Sequence, residues 1–339
     1  HDNLALAVIS QYSIAKAVPL DQSISMIEVS KKTGLSEHLT RSILRHAVAT
    51  GIFHEPVPNH IAHNGLSKLL LEPKMAGWVH HTTNDVVPAA SMVIESWRRF
   101  PDSNEPNETG FSLAGGQGKT LFEYLAENAE ARDRFSLAMA GLTASGGYDA
   151  NDLVHGYPWT NITSGATIVD VGGSDGTMAC ALASQYSGFR LIVQDLEGVA
   201  AHGKEALLPS LRDRVQFQAH DFFHPQPVEA DVYIIRHVLH NWSDKYSVQI
   251  LRHIVAAMKP TSRIIVNDAV MVEPQETSAE QYWNMSAMNL QMITLLNAKE
   301  RTLHDWTELF AKADPRLKIA TVHKPTGSEM SIIEVVLMD

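Results

Sequence analysis

Ten residues, T-I-V-D-V-G-G-S-D-G from Thr167 to Gly176, constrain the fold more than any other stretch of this chain. The apolar half reads as a buried strand, and the half that follows is a turn built from residues with little or no side chain. Gly172, Gly173 and Gly176 let the backbone reverse sharply and press against a ligand, which a Cβ would hinder. A second acid, Asp195, closes the next apolar run, L-I-V-Q-D, just under twenty residues past the last glycine. An acid at that strand end accepts hydrogen bonds from ribose hydroxyls. The pattern predicts a nucleotide-type site on an α/β sheet.

Spacing decides between nucleotide classes. A dinucleotide fingerprint is G-x-G-x-x-G, whereas Asp170, Gly172, Ser174 and Gly176 spell acid-x-G-x-(G/S)-x-G. The bulky Asp175 stands where the pyrophosphate turn would form, so no second phosphate is cradled. This favours the S-adenosylmethionine loop of a class I methyltransferase, with Asp170 near the methionine end and Asp195 on the ribose. A plain strand-to-helix turn is the alternative for the glycine loop taken alone.

Composition narrows the field. With 339 residues, 45% of them apolar and 19% charged, the chain suits a soluble globular protein of two domains or one large one. Its net charge of −11 argues against a polyanionic partner. No apolar run approaches the roughly 18 residues of a membrane span, and no basic segment leads into a short apolar one, so neither a span nor a secretory signal is expected. The single cysteine, Cys180, cannot form an internal disulfide and reads as a small buried residue after the glycine loop, which fits a reducing cytosol. The chain opens at His1 rather than at a methionine, from which a preceding N-terminal piece is expected.

Two rhythms divide the chain. Over 1–150 the periodicity is helical, with strand-like runs only near Ile52 to Ile61. Gly34 should end one helix, Ser36 should cap the next, and Ile43, Leu44 and Ala47 recur at core spacing, which predicts a winged-helix arrangement. Nucleic acid is not the expected partner, because the wing segment H-E-P-V-P-N-H has no lysine or arginine for phosphates. Residues Pro101 to Gly118 read as a mobile surface loop. Its end, G-G-Q-G-K-T, fails as a phosphate loop because the first glycine of that motif would fall on Leu113. Over 151–339 the apolar runs I-V-D-V, L-I-V-Q, V-Q-F-Q, D-V-Y-I-I and R-I-I-V-N-D alternate with helical stretches, which predicts a mostly parallel sheet. The last two runs, K-I-A-T-V-H-K and S-I-I-E-V-V-L, are joined by a short turn segment and should pair as an antiparallel hairpin.

In such sheets ligands bind beyond the carboxyl ends of the strands. That rule gathers Asp170 to Gly176, Asp195, Asp221 with Phe222, Arg236 to Trp242, and Asp268 into one site. Asp221 can accept from an adenine amino group while Phe222 packs on the ring. His237 and His240 stand three apart, but no H-E-x-x-H and no cysteine supports a metal there, so no metal is expected.

The motifs D-V-G-G-S-D-G, Q-D-L, A-H-D-F-F, H-V-L-H-N-W-S-D, V-N-D-A-V and N-A-K-E-R-T, in this order, resemble the plant caffeic-acid type O-methyltransferases and especially their fungal secondary-metabolite relatives. The resemblance covers nearly the whole chain. It implies a Rossmann-like class I methyltransferase sheet with a C-terminal antiparallel hairpin, preceded by a mostly helical winged-helix domain that dimerises and covers the acceptor. It implies S-adenosylmethionine as cofactor, S-adenosylhomocysteine as product and a homodimer. Leu196 and Arg236 join the cofactor contacts. The general base falls on His240, with Asp268 and Glu300 to orient it; Asn241 stands where the plant enzymes have aspartate. A neutral histidine with the ordinary pKa of about 6.5 suits that work near pH 7.

The acceptor pocket is expected from the helix N-M-S-A-M-N-L-Q-M-I-T-L-L-N with Met288 and Met292, from Trp242, and from Met139, His80 and Trp78 of the helical domain. For Met285, Met288 and Met292 a core stripe is the commoner reading, though methionine's adaptable shape also suits a bulky aromatic or polyketide-type acceptor. Some fungal relatives are pericyclases, which keep the sulfonium cofactor unconsumed while dehydrating or cyclising a quinone methide. Those carry arginine or lysine at the base position, so His240 favours methyl transfer; His80, Asn241 and Ser174 lean the other way.

Overall fold

The run Thr167–Val171 is an interior strand, β1, of a seven-stranded sheet in the computed structural model, which describes residues 1–144 and 146–338. The others are β2 (Arg190–Asp195), β3 (Val215–Ala219), β4 (Val232–Arg236), β5 (Arg263–Asp268), β6 (Leu317–His323) and β7 (Ser331–Leu337). They lie in the order β6-β7-β5-β4-β1-β2-β3. β1 to β5 pair in parallel, and β7 runs antiparallel between β5 and β6. Helices follow β1, β2 and β4, whereas the irregular segment 220–231 joins β3 to β4; the short 324–330 segment permits only a hairpin.

Successive residues of one strand feed opposite layers. Ile168, Leu191, Val193, Val232, Ile234 and Ile265 pack on one face with Leu182; Val169, Val171, Tyr233, Ile235, Ile264 and Val266 pack on the other with Trp306 and Phe310. Both faces being covered, the strands carry unbroken Val/Ile runs. The chain moves outward from β1 through β2 to β3 and then returns to β4 beside β1, so the strand order reverses there and opens a crevice at the carboxyl ends. Beyond the sheet, Val270–Met271 pairs in parallel with Arg301–Thr302.

The contacts divide the chain into two units, each described by itself. The sheet unit comprises Ser103–Pro106 and Gly146–Asp339; the other comprises His1–Asp102 and Asn107–Ser145. In the latter, Met26–Thr33 ends at Gly34 in left-handed backbone (φ +76°), and Ser36 caps Glu37–Ala49 by accepting from the Leu39 N–H. Leu44 and Ala47 are fully buried there. The strands Phe53–His54 and His60–His63 gain a third partner, Ile24–Ser25, which pairs with His60–Ile61. Two residues are too few to show a period, which is why the sequence showed strands only near Ile52 to Ile61.

The expected mobile loop over 101–118 is corrected. Gly110–Ala114 is helical, Thr109 and Ser112 form a reciprocal cap, and Thr109 and Phe111 are buried. The turn-forming composition supplied caps and a tight packing site: a Cβ on Gly110 would come 2.3 Å from the Ala89 carbonyl. Ser103–Pro106 is held within the sheet unit, where Tyr246 donates to Glu105 at 2.6 Å and Asn297 to the Glu105 carbonyl at 2.9 Å. No helix among the described residues is long and apolar enough to cross a membrane.

Candidate active site

Past β1 the backbone turns through left-handed conformations at Gly172 (φ +69°), Ser174 (φ +52°) and Gly176 (φ +76°). The N–H groups of Gly172 and Gly173 donate to the Gln194 carbonyl at 2.8 and 3.1 Å. Ser174, a non-glycine residue in a region that costs roughly 1 kcal/mol, is held there by its N–H donating to Asp195 Oδ2 at 2.9 Å. The glycines also answer to the protein's own packing, not to a ligand alone. A Cβ on Gly176 would lie 2.6 Å from the Phe217 ring, and one on Gly173 2.7 Å from the Asp170 carboxylate.

The strand-end acids differ in environment. Asp195 accepts from Ser174 on one oxygen and from the Leu196 N–H on the other at 2.8 Å; burial nevertheless raises its pKa. Each oxygen keeps lone-pair capacity for a diol. The Leu196 side chain is exposed. Asp221 accepts from the Phe223 N–H at 2.9 Å, and its carboxylate is partly exposed. The Phe222 ring lies near Gly172 and meets Trp242 edge to face at 6.0 Å. Trp242, expected at the acceptor, has its ring among Phe222, Phe223 and Tyr246.

Asp170 is buried and its Oδ2 has no hydrogen-bond partner among the described residues. Burial pushes its pKa up to about 7, against the pull of Arg236. Arg236 donates to Asn267 Oδ1 at 3.1 Å and to the Tyr148 carbonyl, and burial lowers its pKa.

His240 sits on a short 3₁₀ turn, Leu239–Asn241, that follows β4. Its Nδ1 is 2.8 Å from Glu300 Oε1, the two side chains being 12% and 2% exposed. Burial pulls the imidazole pKa down, but the Glu300 carboxylate, and then Asp268, outweigh it and bring it to about 9. The expectation of an ordinary histidine is corrected: the paired carboxylates raise its pKa and favour the cationic ring. Asp268 is fully buried, neither oxygen has a partner among the described residues, and burial, opposed by His240, raises it to about 7. His237, in left-handed backbone (φ +54°), has its ring 5.2 Å from that of His240 and an unpartnered Nε2. Burial and the neighbouring His240 lower its pKa well below the ordinary range. One ring nitrogen each of His237 and His240 and one Asp268 oxygen lie within 4.8 Å of one another. Asn241 donates to the His237 carbonyl at 2.9 Å, closing the turn where the plant pattern has aspartate.

On the helix Ala279–Leu296, Met285 and Met292 are buried and Met288 is half-buried. In the other unit, His80 Nδ1 is 3.1 Å from Ser10 Oγ, and His80 lines a cavity of about 450 Å³ with Asn84, Tyr124 and Arg134. Burial, then Arg134, lowers its pKa. Met139 is half-buried on Ala129–Ala144. The sheet unit thus brings together the predicted cofactor acids with His240, Asp268 and Glu300, whereas His80 and Met139 belong to the other unit.

Three supports escaped the sequence reading. Gln194 and Gln226 form a reciprocal amide pair, each bond 2.8 Å, joining the end of β2 to the segment after Asp221. Asn289 accepts the Glu300 N–H at 2.9 Å, and the buried Arg301 bonds around the His240 turn. None carries a spacing signal; the L-I-V-Q-D run offered one clue, a glutamine in an otherwise apolar strand.

Residues 99–314 match the O-methyltransferase domain family. The O-methyltransferase pyvH of Aspergillus violaceofuscus is 39% identical over 99% of this chain and 81% of its own length. The chlorophenol O-methyltransferase of Trichoderma longibrachiatum is 37% identical over 99% and 73%. The crystal structure of OxaC with S-adenosylhomocysteine and oxaline superposes with a TM-score of 0.84 at 28% identity, covering 99% of this chain and 85% of OxaC. A family match over most of the sheet unit, with relatives aligned along nearly all of its sequence, makes this chain a member of the O-methyltransferase family.

Proposed function

We propose that this O-methyltransferase methylates a phenolic hydroxyl of an aromatic or polyketide-type secondary metabolite, with His240 taking the hydroxyl proton. S-adenosylmethionine, its cofactor, supplies a methyl group already activated on a sulfonium that leaves as a neutral thioether. The residues present fit that group. Asp195 keeps acceptor capacity for a ribose diol, Asp221 and Phe222 offer an acceptor and a ring for adenine, and the unpartnered Asp170 Oδ2 together with Gly172, Gly173 and Gly176 suits its amino-acid end. Leu196 and Arg236 complete this set.

The observation that carries the reading is the contact between His240 Nδ1 and Glu300 Oε1. With Nδ1–H donating to the carboxylate, the neutral ring has its lone pair on Nε2, and Glu300 with Asp268 stabilises the imidazolium once the proton arrives. With its pKa raised, the ring first gives its Nε2 proton to solvent and only then takes the hydroxyl proton. Acceptor contacts are assigned to His80, Met139, Trp242, Met288 and Met292. Residues 1–150 are assigned to dimerisation and acceptor enclosure, and 151–339 to cofactor binding and catalysis. The name of the Trichoderma relative, a chlorophenol O-methyltransferase, supports a phenolic acceptor.

The test uses methyl-labelled S-adenosylmethionine with a panel of simple phenols and hydroxylated polyketides. His240→Ala should keep the fold and S-adenosylhomocysteine affinity yet lose about 10²- to 10⁴-fold in turnover, the range for a positioned base. Near wild-type turnover would move the base elsewhere. Substrate conversion by the wild type without cofactor consumption would instead support the pericyclase alternative.

A further inference from the structure

Arg301 directly follows Glu300 and is fully buried. A buried guanidinium is costly unless its donors are matched, and here they converge on one short turn. Nη1 donates to the Leu239 carbonyl at 2.8 Å and Nη2 to the Trp242 carbonyl at 2.8 Å, the two carbonyls that bracket His240 and Asn241. The other edge is anchored by Asp244 Oδ1, 3.0 Å from Nε and 2.9 Å from Nη2, and by Ser247 Oγ at 3.2 Å. Ser247 Oγ lies 3.2 Å from each of the same two carbonyls, either of which can accept its one O–H, and the Trp306 ring lies 5.2 Å from the guanidinium carbon. The Glu300–Arg301 segment is itself pinned, by Asn289 on the Glu300 N–H and by the pairing of Arg301 with Val270. Two adjacent residues therefore grip one turn, Glu300 by the His240 ring and Arg301 by the backbone on either side of it.

We propose that Arg301 is a positioning residue for methyl transfer: its planar fork sets the 239–242 turn so that the His240 ring meets the Glu300 carboxylate. The proposal rests on the reading of His240 as base. Lysine cannot replace the fork, because a compact ammonium cannot reach both carbonyls and Asp244 in one plane. Arg301→Lys keeps the positive charge, so its effect on His240 is chiefly geometric. The other groups acting on His240 are unchanged: Glu300 and Asp268 raise its pKa and His237 neighbours it, while the Arg301 charge, which lowers it, is retained by lysine.

The test compares wild type and Arg301→Lys by NMR titration of ¹³C-histidine-labelled protein, with the His240 resonance assigned through His240→Ala. Turnover on the best phenol of the panel and thermal melting are measured alongside. In folded Arg301→Lys the His240 midpoint should fall by at least one pH unit as the Glu300 contact loosens. Plateau turnover, read from the alkaline limb of the pH profile where both rings are neutral, should fall at least tenfold, with the KM for S-adenosylmethionine within twofold of wild type. An unchanged midpoint would overturn the proposal whatever the melting temperature does. A lowered midpoint with unchanged turnover would support the positioning and refute the base. If the lysine variant does not fold, Ser247→Ala, which removes a neutral partner of the fork, should lower the midpoint less but in the same direction; no change there would also overturn it.

Discussion

His240 ties rate and stability to one titration with opposite signs. Its pKa of about 9 in the folded protein lies above the ordinary 6.5, so its pairing with Glu300 contributes stability that is fully present below about pH 6.5 and lost as pH rises through 9. Base catalysis needs the neutral ring, so turnover should climb over that same window. We expect the gap in melting temperature between wild type and Glu300→Gln to narrow from pH 6.5 to 9.5, while wild-type turnover rises. A gap that stays constant would show that the pair is not titrating. At Asp195, whose oxygens accept two backbone N–H groups, Asp195→Ala should weaken S-adenosylhomocysteine binding by about 1.5 to 3 kcal/mol in calorimetry, the range for a hydrogen bond to a charged group. Unchanged affinity would take Asp195 out of the site. Asp195 was legible in the sequence because it ends an apolar run at a set distance from a glycine turn. The raised pKa of His240 was not, since it arises from carboxylates 28 and 60 residues further along the chain.

Between elements, the joint that matters for the cofactor side is the buried amide pair of Gln194 and Gln226. Gln194 holds the glycine turn through its backbone carbonyl and the segment after β3 through its side chain, so three ligand-bearing loops meet at one residue. Gln226→Leu leaves the Gln194 Oε1 without its donor, although Nε2 keeps Gln218, and should cost about 1 to 3 kcal/mol in urea unfolding. Gln194→Leu with Gln226→Leu should be less destabilised than the sum of the two single changes, because neither amide is then left facing an apolar replacement of the other. Strict additivity would mean that the amides do not depend on each other. The strands were readable from apolar runs, and the helix ends at Gly34 and Ser36 from their cap residues. The helix Gly110–Ala114 was hidden by a turn-rich composition, since Thr109 and Ser112 cap a helix with the same residue types that build loops.

At the scale of the whole molecule, we expect a homodimer. The helical unit leaves large apolar side chains in solvent, Leu4 at 59%, Ile94 at 62% and Trp97 at 53%, as a surface that a second copy would cover. Sedimentation at micromolar concentration should give the dimer mass; a monomer would contradict this. By itself the sequence determined the sheet class, the C-terminal hairpin and the strand-end acids, because periodicity, glycine turns and strand termini are local and each leaves its mark within a few residues. Only the tertiary structure decided which groups lack partners, how far burial and neighbouring charge move His240, Asp268 and Asp170, and that Arg301 clasps the His240 turn. Those properties depend on desolvation and on contacts between residues dozens of positions apart, and neither is encoded in any short window of the chain.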